Sequence, residues 1–448
     1  MRGASLIQYW RDAGTHRQVW RLALPMIASN LAVPLVSLVD SIVAGHLPHS
    51  EQLGAVAIGS SLYTLLVWAC GFLRMGATGF TAQALGRNDG DAIRGVLLRS
   101  LLLALVLSVV LGAGISLLRG PLLALMQPSA ELAALASTYL EIRLFGLPAA
   151  LLSYALVGWF LGLHRAGIAL CLLLTTNLGN IVLNLWFVLG LGWGVAGLAW
   201  ASVIGEWSGA VLGAVLALTT LRRWPGRLSA TALRRWALWR PLLSVNRDIF
   251  IRTLALESVF FVLTVFGTRL GDTVVAANSL LLNGLLLTAN GLDGLAQAVE
   301  ALSGRAIGAR DKPALYRALT VAGGWSVLGA LVYALGFAIA GDRFVDLQTN
   351  QLEVRTVAHR YLPYLALLPL VAVWSYLLDG LFIGATRAAE MRNAMLLASG
   401  AFMGLAWILQ PLGNHGLWSA FLLFMAVRGA VLAAAAVRLD RADGWFGR

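Results

Sequence analysis

Apolar stretches of about 20 residues, enough to cross a bilayer as helix, recur along the chain, centred near residues 32, 68, 106, 148, 180, 208, 259, 289, 328, 370, 401 and 427. The pattern predicts an all-α membrane protein of twelve transmembrane helices. Polar residues punctuate several runs at helical spacing without breaking them. In the first span Met26, Ser29, Asn30, Val33, Ser37 and Asp40 follow one another every three or four positions, which places them on one face. Asn177, Asn180 and Asn184 make a similar stripe in the fifth span. The first span also carries Pro25 and Pro34, each of which removes a helical hydrogen bond.

Composition agrees with the pattern. Of 448 residues, 59% are hydrophobic and 12% charged, whereas about a quarter are charged in soluble domains. The net charge of +12 would suit a nucleic-acid partner, but its placement argues for topology. The gaps "HLPHSEQ", "GLGWGVAG" and "PLGNHGL" hold no lysine or arginine, while the alternate gaps hold Arg87, Arg94 and Arg99, then Arg165, then Arg305, Arg310 and Lys312, then Arg387 and Arg392. The longest linker adds Arg222, Arg223, Arg227, Arg234, Arg235 and Arg240. This is the positive-inside signature of a multi-pass protein with both termini cytoplasmic, and it removes the case for nucleic acid. The expected division is a cytoplasmic segment at 1–18, six spans in 19–221, a basic linker at 222–247, six spans in 248–437 and a cytoplasmic tail at 438–448. The first eighteen residues show neither a short apolar core nor a cleavage site, so a cytoplasmic lead-in is expected there. Cys70 and Cys171 both sit in apolar runs and offer no disulfide framework or metal cluster.

Shifting the chain by 222 residues aligns "STYLEIRLFGLPAALLSYALVGWFLGLHRA" with "HRYLPYLALLPLVAVWSYLLDGLFIGATRA". Tyr139 falls on Tyr361, Ser153 on Ser375, Gly158 on Gly380, Gly162 on Gly384 and Arg165 on Arg387; the same offset superposes "ALGRND" on "AIGARD". Each half then holds six spans, and because six is even, both enter the membrane in the same direction. Parallel repeats of this kind are related by a pseudo-two-fold axis along the membrane normal and frame a substrate site between them.

The motifs "WRLALPMI", "LVDSIVAGHL", "FLRMGATGFTAQALG", "YLEIR", "VNRDIFIR", "LDGLAQAVEALSG", "AIGARD" and "YLLDGLFIGATRAAEMRN" together resemble the multidrug and toxic compound extrusion (MATE) family, in its DinF branch, over essentially the whole chain. The resemblance implies the MATE fold, with two six-helix lobes in a V. It also implies alternating access and export of cationic or amphipathic compounds in exchange for protons, with sodium ions as the alternative.

Depth narrows the candidate residues. Asp40 lies about 9 Å from the outer end of the first span at about 1.5 Å per residue, and an ionised carboxylate within a bilayer helix costs about 2.5–3.5 kcal/mol on insertion scales. Asn180, Asn184 and Ser202 share the outer half of the same lobe, so one pocket can hold all four; the alternative for the asparagines is interhelical glue. By resemblance, the first-span acid carries the coupling ion, accompanied by the fifth-span Asn and a sixth-span Thr. Here Ser202 replaces that Thr, and Asn184 stands where many relatives have a second Asp. One carboxylate is a poor set of ligands for sodium but sufficient for a proton, which burial favours by disfavouring the charged form. Resemblance also makes Pro25 the bend residue, with Pro34 a second hinge candidate; a permanent packing kink is the alternative. Met26, Asn30, Ser37 and Asn177 are the candidate substrate-cavity residues of the same lobe.

In the second half Asn290, Asp293, Gln297 and Glu300 step along the eighth span, Glu257 lies mid-seventh and Asp379 in the inner half of the tenth. Resemblance makes Glu257, Asp293 and Asp379 a candidate cation or substrate site. The alternative is structural pairing, with Arg252 neutralising Glu257 or Asp248. Glu206, which the offset places on Arg428, reads with it as an inner-end packing charge.

"GWGVAG" fits a dinucleotide fingerprint but joins two spans with no strand before it, so it reads as a turn. No nucleophile and base, metal-ligand spacing or nucleotide-binding loop is evident. The expectation is a secondary transporter of the bacterial inner membrane, not an enzyme, without cofactor or metal and monomeric, with small amphipathic substrates and the lipid bilayer as partners. A lipid-linked oligosaccharide flippase of the same superfamily is the alternative; it favours an arginine-rich cavity, and only Arg74 and Arg252 read as lying well inside spans.

Overall fold

The computed structural model describes residues 6–45, 47, 49–125, 127–227 and 233–446. The first half contains α1 (Leu6–Trp10), α2 (Ala13–Gly45), α3 (Ser50–Ala69), α4 (Phe72–Gly86), α5 (Gly90–Leu125), α6 (Ala130–Leu144), α7 (Leu147–Gly162), α8 (Ala166–Asn184) and α9 (Gly194–Leu221). The second contains α10 (Trp236–Arg269), α11 (Asp272–Gly308), α12 (Lys312–Asp346), α13 (Leu352–Gly384), α14 (Ala388–Ile408) and α15 (Gly413–Arg441). No strand occurs among the described residues. Among the described residues, nine helices are long and apolar enough to cross a membrane, or ten with the pair α6 and α7, which bends by 46° between its two pieces. α2, of 33 residues, and α14, of 21, stand where the first and eleventh spans are expected. The order is therefore twelve spans, with α3 and α4 as the second and α6 and α7 as the fourth.

The breaks have local causes. Between α6 and α7 the chain passes Gly146, and Pro148 follows at the start of α7, where its missing N–H and fixed φ suit a first turn. α8 ends in a π-helical turn, Leu185–Gly190. The turn after it uses Gly192 and Gly194 at φ 68° and 56°, a region that glycine enters without a Cβ penalty; "GWGVAG" is a turn, as expected.

The repeat seen in sequence is a repeat in backbone. Asn88 and Arg310 have φ of 52° and 55°, and His164 and Thr386 have 61° and 55°; each pair is related by the 222-residue offset. Such values are uncommon away from glycine, so their recurrence shows one turn built twice. At both "GRND" and "GARD" the aspartate caps the next helix, Asp89 Oδ1 accepting from the Ala92 amide and Asp311 Oδ1 from the Ala314 amide, each at 2.9 Å. The glycines recur with equal purpose. A Cβ on Gly158 would lie 2.2 Å from the Arg74 carbonyl oxygen, and one on Gly380 2.3 Å from that of Ala296. Gly162 and Gly384 repeat the close approach one turn further on. These small-residue seams let α7 lie on α4 and α13 on α11, the packing favoured where lipid removes the hydrophobic drive between helices.

The chain divides into two compact units, residues 28–242 and residues 1–27 with 243–448. Residues 19–27, expected with the first six spans, pack with the second half for visible reasons. Trp20 meets Trp325 edge to face at 5.0 Å, and Gly294 leaves room for Ile27, whose Cγ1 would stand 2.4 Å from an added Cβ. Both crossings between units follow a proline inside a helix: Pro25 in α2 precedes the first, and Pro241 in α10 the second. Part of the basic linker falls at residues 228–232, outside the described residues. Its start is fastened to the α4–α5 turn by Arg94, whose Nη2 donates to the carbonyls of Leu221 and Trp224 at 2.6 and 2.8 Å.

Candidate functional site

Within the unit of residues 28–242, Asp40 on α2 accepts a hydrogen bond at Oδ1 from Asn184 Nδ2 at 2.5 Å. The same Nδ2 donates to Asn180 Oδ1 at 3.1 Å, Asn180 Nδ2 donates to Ser202 Oγ at 2.9 Å, and Ser202 donates to the Leu198 carbonyl at 3.1 Å. The four residues singled out in sequence thus form one string across three helices. Asn180 and Asn184 are one turn apart on α8 and buried, while Asp40 and Ser202 are half-buried. Asn184 Oδ1 is buried with no hydrogen-bond partner among the described residues, leaving an acceptor beside the carboxylate. The donor on Asp40 is a neutral amide, which holds the carboxylate without fixing its charge.

A second polar group lies in the same unit. Arg143 Nη2 donates to Glu206 Oε1 at 2.8 Å, and the Tyr63 hydroxyl donates to both Glu206 oxygens at 3.2 and 3.1 Å. The Arg143 guanidinium lies 3.8 Å from the Tyr63 ring centre, a cation–π contact. A Cβ on Gly146 would stand 2.1 Å from Glu206 Oε2, so the break between α6 and α7 also makes the seat for this carboxylate. Glu206 is therefore one member of a buried ion pair, not an inner-end packing charge, and Arg428 departs from that reading in the same way.

In the unit of residues 1–27 and 243–448, Asp379 on α13 accepts from two guanidinium groups, Arg252 Nη1 at 3.1 Å and Arg428 Nη2 in a shorter contact. Arg252 has here a partner that its own helix did not suggest. Asp248 is engaged by Arg392 at 2.7 Å and Arg247 at 2.9 Å. Asp293 accepts from Gln297 Nε2 at 2.7 Å, one turn along α11, and Glu257 is half-buried on α10. Two guanidinium groups therefore converge on one carboxylate oxygen. Of the three candidate residues of this half, Asp379 is thus paired with two arginines and Asp293 with Gln297.

The candidate cavity residues are less gathered. Asn30 and Asn177 are half-buried in the unit of residues 28–242, and Asn177 Nδ2 is buried without a partner. Met26 is buried within the other unit. The side chain of Ser37 lies outside the described residues.

Sequence reasoning missed Arg143, Tyr63 and Arg428. Arg143 and Arg428 are only 7% and 3% exposed, so Arg74 and Arg252 are not the only arginines deep in spans. Arg143 stands in the last turn of α6, just before the break. The signal was present in "YLEIR", of which the repeat keeps the Tyr and Leu but not the Arg.

The MatE family matches residues 25–186 and again 249–408, one match for each half. The chain is 42% identical to the DNA damage-inducible protein F of Escherichia coli (strain K12), over 96% of this chain and 94% of that protein. It is 28% identical to a probable multidrug resistance protein NorM of Rhizobium meliloti (strain 1021), over 92% of this chain and 91% of that protein. Among solved structures, the outward-facing conformation of a multidrug resistance MATE family transporter of the MOP superfamily matches with a TM-score of 0.88 at 19% identity, covering 99% of this chain and all of that one.

Proposed function

Because the chain belongs to the MatE family, whose members are transporters and not enzymes, we propose that it is a proton-driven exporter of cationic or amphipathic compounds in the bacterial inner membrane. The relatives named for multidrug resistance support the substrate class. The observation that carries the coupling reading is the string from Asp40 to Ser202. Ionised, Asp40 accepts the Asn184 N–H. Protonated, it needs an acceptor, and rotation of the Asn184 amide presents the unpartnered Oδ1. The site then accommodates both states with one neutral side chain, which a proton cycle requires. A proton entering from the outside discharges Asp40, and its release to cytoplasmic water restores the charge.

Sodium remains the rival because Asn184 Oδ1 is also a free oxygen ligand; against it stands a single carboxylate where a hard cation calls for several oxygens. Pro25 is the hinge in this reading. It lies two residues before the point where α2 passes from one compact unit to the other, and a proline-broken helix bends at such points.

Proteoliposomes given a pH gradient or a sodium gradient separately test the proposal. Substrate efflux is expected with the pH gradient alone and is expected to vanish in Asp40→Asn. Efflux driven by sodium only, or an Asp40→Asn protein that exports like the parent, overturns it.

A further inference from the structure

Arg143 is buried, yet its Nε and Nη1 have no hydrogen-bond partner among the described residues. A guanidinium offers five N–H donors and stays charged in proteins, so a buried one with spare donors is poised for a second acceptor. The groups that face it are known. Glu206 from α9 and Tyr63 from α3 hold one side. The Tyr139 hydroxyl, one turn earlier on α6, shares the Arg143 guanidinium with Glu206. Ile142, next to Arg143, and Val39, next to Asp40, pack against one apolar cluster. Glu206 in turn faces Tyr154 on α7, near Arg74 and Cys70 of the second span. Apolar packing draws the two polar groups together: Tyr139 shares a cluster with Val43 and Ala44, one turn beyond Asp40, and with Leu198, whose carbonyl ends the Asp40 string. Gly59 makes room for the ring, since a Cβ there would stand 2.4 Å from Tyr139 Cδ1.

We propose that Arg143 is a positioning residue for the proton site, one guanidinium serving two carboxylates: it rests on Glu206 while Asp40 is protonated and turns its unpaired donors toward Asp40 when that group is ionised. The inference rests on Asp40 carrying the coupling proton and goes beyond it by naming the countercharge. Charge counting supports it. Glu206 and Arg143 cancel, so ionising Asp40 leaves one net negative charge in the group, which sharing of the guanidinium spreads and which one proton removes. The Tyr63 hydroxyl, already donating to both Glu206 oxygens, keeps Glu206 satisfied while Arg143 leans away.

The pH dependence of efflux separates this from a purely structural ion pair. An opposite charge close to a carboxylate displaces its titration by about 1–3 pH units. Glu206→Gln releases Arg143 to Asp40 and is expected to move the midpoint of the pH profile at least about one unit to the acid side. Arg143→Gln is expected to move it to the alkaline side, and Arg143→Lys to keep the parental midpoint. Should Glu206→Gln fail to accumulate, Glu206→Asp, which withdraws the carboxylate by one methylene, is expected to give a smaller acid shift. Midpoints unchanged in all surviving variants, with only protein yield reduced, overturn the proposal. If the parent itself shows no pH-dependent efflux, or Asp40→Asn matches the parent, the failure belongs to the proton reading of Asp40 and the inference falls with it.

Discussion

Asp40 and Asp379 are both aspartates inside transmembrane helices, and their surroundings are opposites. Asp40 accepts from one amide N–H of Asn184; Asp379 accepts from two guanidinium groups, Arg252 and Arg428. The donor at Asp40 is a neutral amide, whereas Asp379 meets two cations. The same residue type thus has a single amide partner in one half and a pair of arginines in the other. The sixth spans make the contrast sharper. At positions related by the repeat, one carries Glu206 and the other Arg428, and each pairs with the fourth span of its own half, Arg143 and Asp379 respectively. The ion pair between fourth and sixth spans is kept and its sign is reversed.

If that contrast is real, removing the two acids has different consequences. Asp379→Ala removes the carboxylate that Arg252 and Arg428 both meet, and losing one member of a buried pair costs about 3–5 kcal/mol; a large drop in the unfolding temperature in detergent is expected. Asp40→Asn keeps the shape and the Asn184 contact, so its unfolding temperature stays near the parent's while pH-driven efflux is lost. The features both halves share should respond alike. Gly158→Ala and Gly380→Ala each force a methyl against a backbone carbonyl and are expected to destabilise by about 1–3 kcal/mol, whereas Gly114→Ala, with nothing within 4 Å of its added Cβ, is expected to be neutral by the same thermal assay. Asn184→Ala removes the donor on Asp40; a loss of about 1.4 kcal/mol, within the range for hydrogen bonds in membranes, corresponds to about tenfold in coupled efflux rate. Ser202→Ala, at the end of the string, removes about 0.6 kcal/mol and is expected to slow efflux by no more than about threefold, measured in the same proteoliposomes.

The Asp40, Asn180, Asn184 and Ser202 set was legible because depth and helical period are enough to place polar residues on facing stripes. The repeat was legible for a similar reason: backbone requirements at Gly158 and Gly380, or at Asn88 and Arg310, select the same residue types twice or tolerate any residue that can enter the left-handed region. What the sequence concealed were contacts between helices that no period connects. Arg143 finds Glu206 across 63 residues and Arg252 finds Asp379 across 127, and local spacing had offered Arg252 only Glu257 or Asp248. The break between α6 and α7, beside Arg143, is also written weakly, in a glycine and a proline two residues apart. The grouping of residues 1–27 with the second half had no sequence signal, since Trp10, His16 and Trp20 name no partner until Gly324 and Trp325 stand beside them.

That last grouping bears on how the protein is made. The ribosome delivers α1 and the inner part of α2 first, yet the surfaces that cover Trp10, Trp20 and Ile27 belong to α11 and α12, which emerge more than 200 residues later. Residues 28–242 can reach their final contacts while synthesis continues; the opening segment waits, with its tryptophans unsheltered, until the other half arrives. The contacts of Trp10, Trp20 and Ile27 can therefore form only once α11 and α12 have been made.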